Sequence, residues 1–226
     1  MERVLVIAAH PDDELLGLGG TIRRLANEGI ECRALIMAEG LTSRADKRSN
    51  VTSSELEGLK SDARKAADII GYRSIDFCEL PDNRMDGIEL LDIIKKISIY
   101  LEQYKPDTVF THHHGDLNID HRLTNEAVLT ACRPVGEYCV KRIYTFETPS
   151  STEWNYNESE PFKPNVFFDI SESFEAKVRG MGCYETERTM FPHPRSTESL
   201  RALSRMRGSS VGFDMAEGFM LLRECI

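Results

Sequence analysis

His10, Asp12 and Asp13 fall in one short polar stretch, His10-Pro11-Asp12-Asp13-Glu14, and a second stretch far along the chain runs His112-His113-His114-Gly115-Asp116-Leu117-Asn118-Ile119-Asp120-His121. Imidazoles and carboxylates grouped in this way suit a divalent cation and proton transfer. A catalytic zinc takes three protein ligands and keeps one position open. His10, Asp13 and His121 supply two nitrogens and one oxygen. Asp12 stays off the metal yet beside it, where a carboxylate can take a proton from water on the cation. Iron, cobalt and manganese accept the same donors.

A plainer account is that the acids cap a helix, with Asp at the N-cap and Glu in the first turn. That explains one or two acids but not a histidine beside paired aspartates. The plain account of His112 to His114 is a polar loop at a strand end, with at least one of them facing solvent or standing behind a ligand. For His121 it is an exposed residue in a helix's first turn. Asp120 is an N-cap, a partner of a ligand, or both.

Each polar stretch follows an apolar run. Val4 to Ala9 is continuous and rich in branched residues, as in a strand buried on both faces. Leu15, Leu18, Ile22 and Leu25 then mark one helix face, stopped at Asn27-Glu28-Gly29. Ile30 to Met37 is a second strand, followed by a polar loop over residues 38–51. Leu56, Leu59, Ala63, Ala67 and Ile70 give a helix, Ser74 to Cys78 a strand, and Leu90, Ile94, Ile97 and Leu101 a helix ending before Pro106. Asp107 to Thr111 is the strand that feeds the histidine loop. Leu123, Ala127 and Ala131 mark the next helix, and Lys141 to Phe146 the next strand. This alternation predicts an α/β, Rossmann-like fold: a mostly parallel sheet sandwiched by helices, with the site at the carboxyl ends of the strands. Both polar loops then lie on one sheet edge. Residues 1–226 read as one domain: a core over 1–147, then an irregular segment with Trp154 and helices over 171–184 and 196–207 that cap the site. Asn165 to Ile170 is a further candidate strand.

A net charge of -9 without a basic stripe argues against nucleic acid or an anionic membrane as partner. Six scattered cysteines without a CxxC pair read as reduced, buried thiols. No apolar run approaches a membrane span, and the chain opens on a strand without a leader, so the expected location is cytoplasmic. In that setting the triplets Asn50-Val51-Thr52 and Asn157-Glu158-Ser159 carry no glycan. Gly17-Leu18-Gly19-Gly20, with Glu39, superficially suits a dinucleotide site, but acids fill the turn where a pyrophosphate would sit. Gly208-Ser209-Ser210-Val211-Gly212 matches GxSxG, yet it follows a helix and no histidine comes after it. A non-catalytic, metal-dependent binding or assembly protein is the remaining alternative; the spare carboxylate of Asp12 favours catalysis.

The set Ala9-His10-Pro11-Asp12-Asp13-Glu14, Gly17, Gly19-Gly20-Thr21 and Asp120-His121-Arg122 resembles the PIG-L/LmbE-like family of zinc-dependent N-deacetylases. The resemblance implies a metal-dependent hydrolase that removes the acetyl group from an N-acetylated amino sugar of N-acetylglucosamine type, free or conjugated. His10, Asp13 and His121 match the zinc ligands and Asp12 the general base. It also implies a homo-oligomer, trimeric or hexameric. Many members carry a histidine three residues before the metal histidine; here that position is Asn118. An amide can donate to an oxyanion but cannot shuttle a proton. His193, the His112 to His114 run and Asp12 itself are the candidates for the acid. Arg44, Asp82, Arg84, Glu147 and Arg195 are candidates to bind the substrate.

Overall fold

The first apolar run becomes the middle of the sheet. The computed structural model describes residues 1–226 other than Ala45, Glu158, Arg188 and the side chain of Arg44. In it β1 (Arg3–Ala8) is buried from Val4 onward. The chain continues through α1 (Asp13–Leu16), α2 (Gly19–Asn27), β2 (Glu31–Ala38), α3 (Ser53–Ile70), β3 (Ser74–Leu80), α4 (Leu90–Tyr104), β4 (Thr108–His112), α5 (Ile119–Ala131) and β5 (Arg142–Phe146). The last third adds β6 (Val166–Asp169), α6 (Phe174–Met181), α7 (Thr197–Ser209) and β7 (Ala216–Glu224). The sheet order is β3-β2-β1-β4-β5-β7-β6. β1 to β5 run parallel, and β7 lies antiparallel between β5 and β6.

Alternation along β1 divides the core. Val4, Val6 and Ala8 pack into one cluster with Ile22, Leu59, Ile70 and Tyr184. Leu5 and Ile7 pack into the other with Ile93, Ile97, Val109 and Val128. Both faces are covered, as a parallel sheet requires. β1 pairs in parallel with β4, with Val6 opposite Phe110. The two strands therefore deliver their carboxyl ends side by side, and with them the two polar loops.

The structure departs from the sequence reading in two places. The helix expected through Leu15 and Leu25 is broken into α1 and α2. Gly17 lies against the Phe146 ring, where an added Cβ would come within 2.3 Å of a ring carbon. Glu217 accepts the N–H groups of Gly20 (3.1 Å) and Thr21 (2.7 Å), and so caps α2 from across the sheet. Lys177 Nζ donates to Leu16 O (2.8 Å) and to Glu217 (2.6 Å), closing the end of α1. The second departure is β7. Beyond residue 170 the sequence pattern predicts helices over 171–184 and 196–207 and no strand, yet residues 216–224 form a strand within the sheet. Its partners β5 and β6 are distant in sequence, so local pattern did not reveal it.

Ser210 of the GxSxG match hydrogen-bonds to Arg207 O at the end of α7 (2.7 Å), as a helix-terminal serine does. Among the described residues the cysteines are free, and no helix is long and apolar enough to cross a membrane.

Candidate active site

After β1 the chain turns at Asp12, a non-glycine residue with φ 102°. A side chain in that left-handed region costs ~1–3 kcal/mol, and such strain concentrates at functional sites. Asp12 makes no side-chain cap on α1, so helix capping does not account for it. Its carboxylate accepts instead from Arg195 Nη1 at 2.6 Å. Asp13, the next residue, turns toward the histidines.

His10 Nδ1 and Asp13 Oδ2 are 3.3 Å apart, His121 Nε2 and Asp13 Oδ2 3.2 Å, and His121 Nε2 and His10 Nδ1 3.3 Å. Metal bonds of ~2.0–2.1 Å in a tetrahedral site give ligand–ligand edges of ~3.3–3.4 Å, so this triangle has the size zinc requires. The other nitrogen of each ring is turned to a carboxylate. His10 Nε2 lies 3.2 Å from both Asp120 and Asp82, and His121 Nδ1 lies 3.1 Å from Asp116. Carboxylates beside the outer nitrogens favour the tautomers whose lone pairs face inward. With both rings neutral, three acceptor atoms converge on one point. Asp13 Oδ1, also buried, has no hydrogen-bond partner. A divalent cation would take up the converging atoms of His10, Asp13 and His121.

The titration tendencies agree. Burial opposes charge on His10, but the carboxylates of Asp120, Asp13 and Asp82 outweigh it and lift the ring well above its ordinary value. Burial likewise opposes charge on His121, yet Asp13 and Asp116 push it up to about 9. Asp13, despite burial, is drawn well below the usual carboxylate range by His121 and His10. Asp12 is the opposite case: burial pushes it well above that range and Arg195 only partly offsets this.

Each supporting carboxylate is itself held. Asp120 accepts the N–H groups of Asn83 (2.7 Å) and Met85 (3.0 Å). Asp82 accepts from Ser43 N (2.9 Å) and Oγ (2.6 Å), and despite burial its pairing with His10 holds it at about 2. Asp116 accepts from Thr152 Oγ1 (2.6 Å), Ser151 Oγ and Asn118 N (2.9 Å). His112 is not free to bind metal. Its Nε2 accepts Ala9 N–H at 2.8 Å, its Nδ1 meets Thr148 Oγ1 at 3.1 Å, and its ring stacks on His121 at 3.9 Å. Burial and the charge on His121 push it well below its ordinary value, so it is a neutral brace. His113 Nε2 meets Glu160 O at 3.0 Å, and His114 is exposed.

A polar cleft of about 110 Å³ opens over the triangle, with Asp12, Asn83, Asn118, Ser150, Glu187 and Arg195 in its wall. Asn118 is the N-cap of α5: its Oδ1 accepts Asp120 N–H at 2.8 Å, and its Nδ2 donates to Asn83. Arg195 Nη1 also reaches Glu187 at 3.2 Å, and its Nε donates to Ser150 Oγ at 2.7 Å. The other sequence candidates stand elsewhere. His193 is outside the cleft wall, accepting Arg195 N–H on Nδ1 at 3.2 Å. Glu147 pairs with Arg207 at 2.8 and 2.6 Å and lines a separate crevice beside Lys177. Arg84 is exposed and is also outside the cleft wall. The side chain of Arg44 lies outside the described residues. Asp116 and Glu187 had escaped the sequence reading. Asp116 carried a signal, an acid in the same loop as His121; Glu187 carried none.

Residues 5–132, more than half of the chain, match the PIG-L family model, described as GlcNAc-PI de-N-acetylase. The chain belongs to the PIG-L family. It is 29% identical over 232 residues to diacetylchitobiose deacetylase of Thermococcus kodakarensis, covering 96% of this chain and 82% of that one. The N,N'-diacetylchitobiose deacetylase of Pyrococcus horikoshii, solved with an inhibitor, superposes with a TM-score of 0.78 at 21% identity, over 98% of this chain and 84% of that one. GalB of Pseudomonas putida, a 4-carboxy-2-hydroxymuconate hydratase, superposes with a TM-score of 0.76 at 23% identity, over 100% and 98%. These structural likenesses show the fold alone, and GalB shows that the fold also serves a hydratase. The PIG-L protein described here is a metal-dependent N-deacetylase.

Proposed function

We propose that this PIG-L protein hydrolyses the acetamide of an N-acetylated amino sugar, N-acetylglucosamine or a conjugate of it, with zinc held by His10, Asp13 and His121. The convergence of three acceptor atoms within 3.3 Å carries the proposal. When bound, the cation supplies a Lewis acid that polarises the acetyl carbonyl and acidifies water. The remaining chemistry belongs to the chain. Asp12 accepts the proton as water attacks the carbonyl. The amide C–N bond then breaks, and the same carboxyl returns the proton to the departing amine, leaving acetate. Arg195 holds the Asp12 carboxylate toward the cleft through the 2.6 Å contact. Asn118 Nδ2 donates to Asn83, and its second hydrogen is available to the oxyanion. His193 is tied to Arg195 N–H outside the cleft wall, which favours Asp12 over His193 as the acid. Arg195 and Asn118 are the substrate-facing residues this arrangement favours.

The test is acetate and primary-amine release from N-acetylglucosamine and its disaccharide, with zinc, then chelator, then zinc restored. Release that stops with chelator and returns with zinc supports the proposal. Sugar binding without release supports the non-catalytic alternative. Self-association as a trimer or hexamer belongs to the proposal by resemblance, and sedimentation velocity tests it.

A further inference from the structure

The left-handed turn at Asp12 is held from the opposite end of the chain. Asp12 N–H donates to Glu14 Oε2 at 3.0 Å. The other oxygen of that carboxylate, Oε1, accepts Tyr184 Oη–H at 2.5 Å. Glu14 and Tyr184 are both buried. Tyr184 follows α6 and immediately precedes the turn that carries Glu187. Tyr184 therefore grips the Asp12 backbone through one intervening carboxylate, while Arg195, further along the same part of the chain, holds the Asp12 side chain. Tyr72 Oη–H adds a bond to Glu14 O at 3.2 Å, fixing the same residue from α3's end.

We propose that Glu14, oriented by Tyr184, is a positioning residue that keeps Asp12 in its left-handed conformation and so keeps its carboxylate over the cleft. Among the described residues the Asp12 N–H has Glu14 as its one acceptor: it precedes the first helical turn, and its own side chain pairs with Arg195. Without Glu14, the backbone at residue 12 relaxes toward ordinary φ values and the carboxylate swings with it. What matters is the pair of hydrogen bonds rather than the charge. A glutamine at 14 can accept Asp12 N–H on its oxygen and donate to the Tyr184 oxygen from its nitrogen. A methionine of similar length can do neither.

The proposal rests on Asp12 being the base, so its test has a readout that does not depend on activity. Crystal structures and steady-state kinetics of zinc-loaded E14M, E14Q and Y184F are compared with those of the parent protein. Expected are a positive φ at Asp12 in the parent and E14Q, and its loss in E14M. Expected also is a kcat in E14M lowered on the order of 10²-fold at unchanged KM and full metal occupancy. E14Q is expected within a few-fold of the parent, and Y184F is expected about 10-fold down, the effect of one orienting hydrogen bond. A left-handed Asp12 in E14M overturns the proposal whatever the kinetics. So does an E14Q as impaired as E14M, because charge would then be the cause. If E14M does not fold, Y184F decides: unchanged kcat and unchanged Asp12 geometry overturn the proposal. A relaxed φ in E14M with no change in acetate release leaves the positioning intact and refutes Asp12 as the base.

Discussion

Asp12, Asp13 and Glu14 are adjacent carboxylates with three different environments, and those environments separate their roles. Asp13 faces two imidazoles, Asp12 faces Arg195, and Glu14 faces Tyr184. Replacing Asp12 with alanine is expected to lower kcat by ~10²-fold or more with metal content retained, the usual scale for a lost acid–base group. Metal analysis of the purified variant beside its kinetics checks this. His121→Ala removes one of three donors and is expected to lose metal as well as rate; equilibrium dialysis with zinc reads it. The pH dependence of zinc affinity follows from the same atoms. His121 is lifted to about 9 in the absence of the cation, so below that pH zinc must displace a proton from it. His10 is lifted too, so apparent affinity is expected to rise with pH by up to ~10-fold per unit for each proton released from the two rings. Calorimetric titrations in buffers of different ionisation enthalpy count the protons directly.

At the scale of elements, the break between α1 and α2 depends on one buried ion pair. Lys177 and Glu217 lie 2.6 Å apart, both buried, and between them they satisfy Leu16 O and the N–H groups of Gly20 and Thr21. Removing one partner of such a pair leaves an uncompensated buried charge, so Lys177→Met is expected to cost about 3–5 kcal/mol of unfolding free energy. Urea unfolding measures it. Gly17→Ala is expected to destabilise by displacing the Phe146 ring, which an added Cβ would overlap. The sequence had shown a helix here but not its interruption. The caps come from residues 177 and 217, which no local pattern connects to residue 16. The supporting acids divide in the same way. Asp120 was readable as a ligand's partner because it adjoins His121. Asp82, whose loop had suggested a sugar contact, reaches His10 instead, because β3 runs alongside β2 and brings its loop to the same edge.

At the scale of the molecule, the C-terminal third has two tasks. β7 fills the gap between β5 and β6, while Tyr184 and Arg195 reach Glu14 and Asp12. Ending the chain before Ala216 is expected to expose the edges of β5 and β6 and to give aggregated protein, since unpaired edges invite pairing between molecules. Size-exclusion chromatography of the shortened chain is the check.

By itself the sequence determined the α/β alternation, the meeting of two polar loops at one sheet edge, and the donor types gathered there. Those features follow from short-range periodicity and from the fixed polarity of parallel strands, both of which are written locally. Only the tertiary structure decided which candidates stand in the cleft. It placed Arg195 on Asp12, kept His193 outside the cleft wall, turned Glu147 to Arg207, and tied Glu14 to Tyr184. Side-chain partnerships across the fold depend on the packing of distant segments, and no window of neighbouring residues contains that information.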